Sequence, residues 1–341
     1  MPLSLKVRTV ELPLRHAWTI SRGTSTSKRN VLVELHDGEL VGHGEAAPNV
    51  RYGESAETVT DALEKLVPVL DGDPRHFRVL SEHLETALPG NFAAKAALDI
   101  ALYDLAGKRL GVPLYRMLGL DATRMPVTSF SIGIDDPATM AQKVREAEPY
   151  PSLKIKLGAQ SVREMFGAVR ATTPKTVRVD ANEAWTPEEA LKHIEWMATQ
   201  GVELVEQPLP AANVEGAKWL RERSPLPLVA DEAVLMARDV PKLAEGYHGI
   251  NVKLQKCGGI REALRLIETA RSCGLKVMLG CMVETSLGIA AAAQLGPLVD
   301  WLDLDGNLLI SADPFRGHPV VEGRIQLGEG PGLGVEPQPF P

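Results

Sequence analysis

After about residue 125 the sequence settles into an alternation that few folds accommodate. Eight short β-type runs alternate with helical stretches. The runs predicted as strands are Val127–Gly133, Leu153–Gly158, Thr176–Asn182, Val202–Gln207, Leu228–Ala233, Gly249–Gln255, Lys276–Val283 and Trp301–Asp305. The intervening stretches carry helix start signals. In Thr186-Pro-Glu-Glu-Ala-Leu, Thr186 is a candidate N-cap and Pro187 suits the first helical position. Eight strands alternating with helices at this spacing predict a modified (β/α)8 TIM-type barrel, of (β/α)7β type, over residues 121–310. The competing arrangement, an open doubly wound sheet, would begin on a glycine-rich phosphate loop, and the chain has none early on.

The first third has a different texture. Leu5-Lys-Val-Arg-Thr-Val-Glu-Leu alternates apolar and polar residues, Asn30-Val-Leu-Val-Glu-Leu follows, Asp37-Gly38 marks a tight turn, and Leu40-Val-Gly-His-Gly-Glu completes an antiparallel meander. From about Ser55 to Leu118 the pattern is helical, with a small, apolar run from Ala93 to Ala106 and a stop at Gly111-Val-Pro113. Residues 1–120 are therefore expected to form an α+β domain, and 311–341 a C-terminal segment that returns to it.

Composition narrows the function classes. The 341-residue chain carries 37 basic and 44 acidic residues, so 37 − 44 = −7, and no basic run suggests a nucleic-acid partner. Three cysteines are too few for a disulfide framework and favour a reducing, cytoplasmic setting. The longest uncharged run, Thr285–Val299, is shorter than a membrane span, and no apolar leader is expected in the Lys6- and Arg8-bearing start.

The polar faces of the strand runs carry the chemistry. Lys154 and Lys156 share one face of their run, Asp180 and Asn182 one face of the next, and Asn251, Lys253 and Gln255 one face of the sixth. Barrel strands turn their aliphatic sides to the outer helices, so these polar faces point inward. They lie late in each run, at the end where barrel active sites form. Asp180, Glu206 and Asp231 come from three successive strands, 26 and 25 residues apart. At matching heights on strands ~4.8 Å apart, their carboxylates can converge on one ion, and oxygen-only ligands favour Mg2+ over zinc.

A carbon next to a carboxylate is a very weak acid. Removing its proton needs a cation on the carboxylate oxygens to hold the enediolate and a base of usable pKa. Lysines near Mg2+ and near each other are expected to have lowered pKa values. Lys154 and Lys156 lie across the barrel from Lys253, and bases on opposite faces of a planar intermediate allow racemisation or epimerisation. A Schiff-base aldolase would use one lysine without metal, which three convergent carboxylates oppose.

Lys154-x-Lys156, Asp180-Ala-Asn182, Glu206-Gln-Pro, Asp231-Glu232 and Asn251-Val-Lys253, in this order, resemble the muconate-lactonizing subgroup of the enolase superfamily. The resemblance covers nearly the whole chain and implies that the first domain caps the barrel. Asp303-Leu-Asp305, Ile20-Ser-Arg22-Gly23, Arg51-Tyr-Gly-Glu-Ser55 and Gly280-Cys-Met-Val-Glu-Thr-Ser286 are similar to dipeptide epimerases of the enterobacterial L-Ala-D/L-Glu type. One departure is Glu284, where that type has a non-acidic residue and other dipeptide epimerases carry Glu. The resemblance implies a Mg2+-dependent epimerase of L-Ala-L-Glu and L-Ala-D-Glu, with one ion per subunit and Mn2+ as a substitute. Lys156 and Lys253 would be the acid/base pair, with Lys154 holding the substrate carboxylate. Asp180, Glu206 and Asp231 would bind the metal, with Asn182, Glu232 and Asn251 beside them. Asp303 and Asp305 would take the substrate ammonium and Arg22 its side-chain carboxylate. Tyr52, Ser129, Cys281, Met282 and Val283 would line the peptide. The alternatives are N-succinylamino-acid racemase or o-succinylbenzoate synthase, and hydrophobic or cationic dipeptide specificity. A small dipeptide is the expected partner, with no nucleic acid or membrane, in a homo-oligomer.

Overall fold

The first three strands form an antiparallel meander. In the computed structural model, which describes residues 3–340, these are β1 (Ser4–Ile20), β2 (Gly23–Asp37) and β3 (Leu40–Ala46). Gly38, at φ 61°, supplies the left-handed conformation for the tight turn between β2 and β3. The β1–β2 hairpin runs further than the sequence pattern suggests, pairing as far as Ile20 with Gly23, so that Ser21 and Arg22 form its tip. Its far half carries Ser, Thr, Lys and Arg because it projects beyond its own core. Continuous burial on β2 begins only at Asn30.

Three helices cover the meander: α1 (Ala56–Leu66), started by a reciprocal Ser55–Thr58 capping box, α2 (Phe77–Ala87) and α3 (Phe92–Leu110). Gly111, at φ 69°, ends α3. α3 lies so close to β3 that a Cβ on Gly44 would stand 1.9 Å from the Ala97 carbonyl oxygen.

The eight expected strands are all present and parallel: β4 (Phe130–Ile132), β5 (Ser152–Lys156), β6 (Thr176–Asp180), β7 (Val202–Glu206), β8 (Leu228–Ala230), β9 (Gly249–Val252), β10 (Lys276–Gly280) and β11 (Trp301–Asp303). They pair in sequence order, and a parallel bridge from Thr128 to Leu302 closes the ring. Every strand ends before the predicted run does. The last residues of each run leave the ladder to build the barrel mouth. Leu153, Ile155, Val177, Val179 and Val205 are fully buried in the large core. Leu204, Val229, Met278 and Trp301 form a separate apolar cluster. Leu204, Val229 and Trp301 lie two residues before Glu206, Asp231 and Asp303 on the same strand faces, so this cluster lies beneath those carboxylates.

After β11 the chain runs back to the first domain. Ser311 N donates to Pro13 O at 2.8 Å, Leu114 N to Gly332 O at 2.9 Å, and Leu333 N to Asp104 Oδ1 at 2.9 Å. All three cysteines are free thiols. Among the described residues, no helix is long and apolar enough to cross a membrane.

Candidate active site

Asp180 ends β6 and Glu206 ends β7, and the ladder pairs them directly. Asp231 follows β8. Their carboxylate oxygens lie within 4.8 Å of one another, and all three residues are buried. The backbone just past the first two strands is in the unfavourable left-handed region, at φ 45° for Asn182, 69° for Glu183 and 35° for Gln207. These bends end the ladder. They let Asn182 N donate back to Asp180 Oδ1 at 2.9 Å, and Gln207 Oε1 accept from Asp231 N at 2.9 Å.

Each lysine holds part of the acidic cluster. Lys154 Nζ is 2.6 Å from Glu206 Oε2, 2.7 Å from Asp303 Oδ2 and 3.4 Å from Asp180 Oδ2. Lys156 donates to Asp180 Oδ2 at 2.5 Å, and Lys253, just past β9, to Asp231 Oδ2 at 2.8 Å. β5 and β9 are four strands apart in the eight-strand order, so Lys156 and Lys253 reach the cluster from opposite sides.

The neighbouring carboxylates act on Lys154 and Lys253 in the direction opposite to that expected of a nearby cation. Burial pushes the Lys154 and Lys253 ammoniums down. Asp303 and Glu206 beside Lys154, and Asp231 beside Lys253, overcome that and raise both. Burial pushes Asp180 up, but Lys156 and Lys154 bring it down to about 2. Glu206, raised by burial and by Asp180, sits at about 7.

A cavity of about 700 Å3 opens between the cap and the barrel mouth. Lys154, Lys156, Lys253, Asp231, Asn182, Glu232, Asp303, Asp305, Cys281, Met282 and Val283 face it from the barrel, and Arg22 and Tyr52 from the cap. Asp305 accepts from Ser131 N at 2.5 Å and has no cationic partner among the described residues. Burial and then Asp303 raise it to about 7. Asp303 is held by Lys154 and by Ser129 Oγ at 2.5 Å. Ser129 itself is fully buried behind Asp303 and does not line the cavity. Ser131, two residues on, does.

Arg22 reaches the cavity with its charge already met. Nη2 lies 2.7 Å from Glu232 Oε1, and Nη1 lies 3.4 Å from Glu183 Oε2. Asn251 Nδ2 donates to Glu206 Oε1 at 2.8 Å, and Asn182 Nδ2 to Glu232 Oε1 at 3.3 Å. Glu284 does not face the cavity. Its Oε1 accepts from Met282 N at 2.8 Å and its Oε2 from Gln255 Nε2 at 3.0 Å, which braces the Cys281–Val283 loop from behind.

Sequence reasoning missed Lys256, fully buried, which donates to Asp231 Oδ1 at 2.6 Å and to the Asp231 carbonyl. Its spacing from Lys253, one helical turn, was the available signal. It also passed over Gln207, whose amide ties the β7 and β8 ends to Tyr247.

The residues present fit a hard divalent cation. The donor set is three carboxylates. Asn182 Oδ1, Glu232 Oε2 and Asn251 Oδ1 are buried acceptors in the same neighbourhood with no hydrogen-bond donor, so the site is richer in acceptors than its lysines satisfy.

Residues 3–119 match the family model for the mandelate racemase / muconate lactonizing enzyme N-terminal domain, and residues 136–340 that for the enolase C-terminal domain-like family. The chain is 44% identical over 340 residues to an L-Ala-D/L-amino acid epimerase of Pedosphaera parvula, covering 96% of this chain and 97% of that protein. It is 42% identical over 327 residues to an L-Ala-D/L-Glu epimerase of Bacteroides thetaiotaomicron, covering 95% and 85%. Its fold superposes with a TM-score of 0.91 on a dipeptide epimerase from Enterococcus faecalis V583 complexed with Mg and L-Leu-L-Tyr, at 35% identity and covering 98% and 99% of the two chains.

Proposed function

The chain belongs to the mandelate racemase / muconate lactonizing enzyme family of the enolase superfamily, and from that premise we propose that it is a Mg2+-dependent dipeptide epimerase interconverting L-Ala-L-Glu and L-Ala-D-Glu. The observation that carries this reading is the pair Lys156 and Lys253, which reach one acidic cluster from opposite sides of the barrel. A base on each face of one α-carbon is what inversion without net chemistry requires.

Asp180, Glu206 and Asp231 would hold the cation, which when bound supplies positive charge to the substrate carboxylate as its α-carbon loses a proton. The chain's own groups do the rest. Lys154, at the bottom of the cavity, pairs with the same carboxylate. The neutral amine of one lysine, Lys156 or Lys253, takes the α-proton of the second residue. The electron pair moves into the adjacent carboxylate, and the ammonium opposite returns a proton to the other face. Asp305, a buried carboxyl with no cationic partner among the described residues, takes the α-ammonium of the first residue. That ammonium distinguishes a dipeptide from an N-acylated amino acid, whose blocked nitrogen would leave Asp305 unmatched.

The test is exchange in D2O with Mg2+ present. L-Ala-L-Glu should gain deuterium at the glutamate α-carbon and yield L-Ala-D-Glu. Turnover of N-succinylamino acids with no exchange on any dipeptide would overturn the reading.

A further inference from the structure

Seven cations line the cavity: Arg22, Lys28, Arg29 and Arg51 from the cap, and Lys154, Lys156 and Lys253 from the barrel. Among the described residues six of them have a carboxylate partner. Arg22 holds Glu232 and Glu183, Arg51 holds both oxygens of Glu183, Arg29 holds Glu57, and the three lysines hold the acidic cluster. The exception is Lys28. It lies on β2, half-buried, and its Nζ donates only to Ser25 Oγ, at 2.9 Å. Burial alone pulls its pKa down, and no carboxylate raises it again. Its strand face is fixed over the mouth. Asn30, two residues on and therefore on the same face, donates to Val283 O at 3.0 Å.

A half-buried charge with no counterion is costly and gains most from an anionic guest. Asp305 is the matching case on the barrel wall. Among the described residues the cavity lining thus presents one cation without a carboxylate, Lys28, and two carboxyls without a cation, Asp305 on the barrel wall and Glu54 on the cap, where it accepts from Ala93 N. Lys28 and Asp305 together fit a substrate with an ammonium at one end and a second carboxylate beyond the reacting one. We propose that Lys28, rather than Arg22, is the specificity-determining cation that receives the side-chain carboxylate of an acidic second residue. This rests on the dipeptide reading above and names the residue that selects acidic dipeptides. Arg22 already spends its charge on Glu232 and Glu183, and serves to pin the hairpin tip to the barrel.

The measurement is the ratio of kcat/KM for L-Ala-L-Glu over its neutral near-isostere L-Ala-L-Gln, by α-proton exchange on the Mg2+-loaded protein. A ratio within one preparation is unaffected by the fraction folded. Lys28→Met should lower the ratio about 10- to 100-fold, the loss expected for one charge-assisted hydrogen bond. Lys28→Arg should restore much of it, and Lys28→Glu should turn preference toward L-Ala-L-Lys. An unchanged ratio in Lys28→Met, or a collapse confined to Arg22→Met, overturns the assignment while leaving the epimerase reading intact. A wild type that does not favour Glu over Gln overturns it too. No exchange with any dipeptide overturns the epimerase reading, and Lys28's role with it.

Discussion

Lys156 and Lys253 stand four strands apart, and each holds a different carboxylate of one buried acidic triad: Asp180 for Lys156, Asp231 for Lys253. Each amine is thereby fixed to its own side of the cavity. Lys253→Ala should abolish α-proton exchange from one epimer of L-Ala-Glu while the other still exchanges through Lys156, and Lys156→Ala should show the opposite preference. Both are read by NMR in D2O on variants whose melting curves confirm folding. Equal loss from both epimers in both folded variants would remove the two-base mechanism.

Metal removal should be equally decisive. Asp180, Glu206 and Asp231 offer three buried carboxylates within 4.8 Å of one another. Dialysis against EDTA should abolish exchange, and Mg2+ or Mn2+ should restore it. Glu206→Gln should raise the Mg2+ concentration needed for half-restoration at least tenfold. Full activity in protein shown by elemental analysis to hold no divalent metal would refute the ligand assignment.

Asp305 is buried, accepts from Ser131 and has no cation among the described residues. Replacing its charge by Asp305→Asn should lower kcat/KM for L-Ala-L-Glu by about 10- to 100-fold, the cost of one charge-assisted pair. The loss should fall mainly on KM, because the ammonium is present in ground and transition states alike. N-acetyl-L-Ala-L-Glu should be a poor substrate for the wild type and no poorer for the variant. A variant that lost both substrates equally would show that Asp305 only shapes the mouth.

A stability prediction comes from the seam between cap and barrel. Glu284 is raised to about 8 by burial and then by Glu45, itself raised by burial. The folded state therefore keeps a proton that an unfolded chain releases near the ordinary glutamate value of 4.5. Stability from this group is present at acid pH and is lost as pH rises from about 5 to about 8. One such group contributes a slope of at most ~1.4 kcal/mol per pH unit. Glu284→Gln should flatten the fall of the melting temperature between pH 5 and 9. Parallel curves for the two proteins would exclude Glu284 as the titrating group.

The sequence was most legible where a strand's two faces differ in chemistry. Lys154 and Lys156 against Leu153 and Ile155, or Asp180 against Val177 and Val179, reveal both the inward face and its height, because side chains on a strand alternate. The strand ends were misplaced for a related reason. Asn182 continues the polar alternation and Gln207 directly follows the polar end of its run, so both read as strand, yet their backbones turn to φ 45° and 35° and hydrogen-bond to Asp180 and Asp231. Asn and Gln give no local sign of such a bend. Ser129 is a lining residue only by the family resemblance; it and Ser131 share a strand face and differ in height, Ser129 lying level with Asp303 and Ser131 with Asp305 nearer the cavity. Whether Arg22 already has a counterion was beyond pattern reading. Its partners, Glu183 and Glu232, lie more than 160 residues away.

The tip of the β1–β2 hairpin has a further consequence. Ser21 Oγ donates to Asn182 O at 2.8 Å, and Arg22 holds Glu232, the residue next to Asp231. Asn182 in turn donates its backbone N–H to Asp180. The hairpin is thus fastened to the bend after β6 that holds Asp180 and to the residue that follows Asp231 after β8. Linkage between such sites is reciprocal. Whatever orders the ends of β6 and β8 also draws the hairpin down, and a dipeptide that draws the hairpin down tightens the segments carrying Asp180 and Asp231 by the same factor. Affinity for the cation and affinity for the substrate should therefore rise together, and salt that loosens the Arg22 pairs should weaken both.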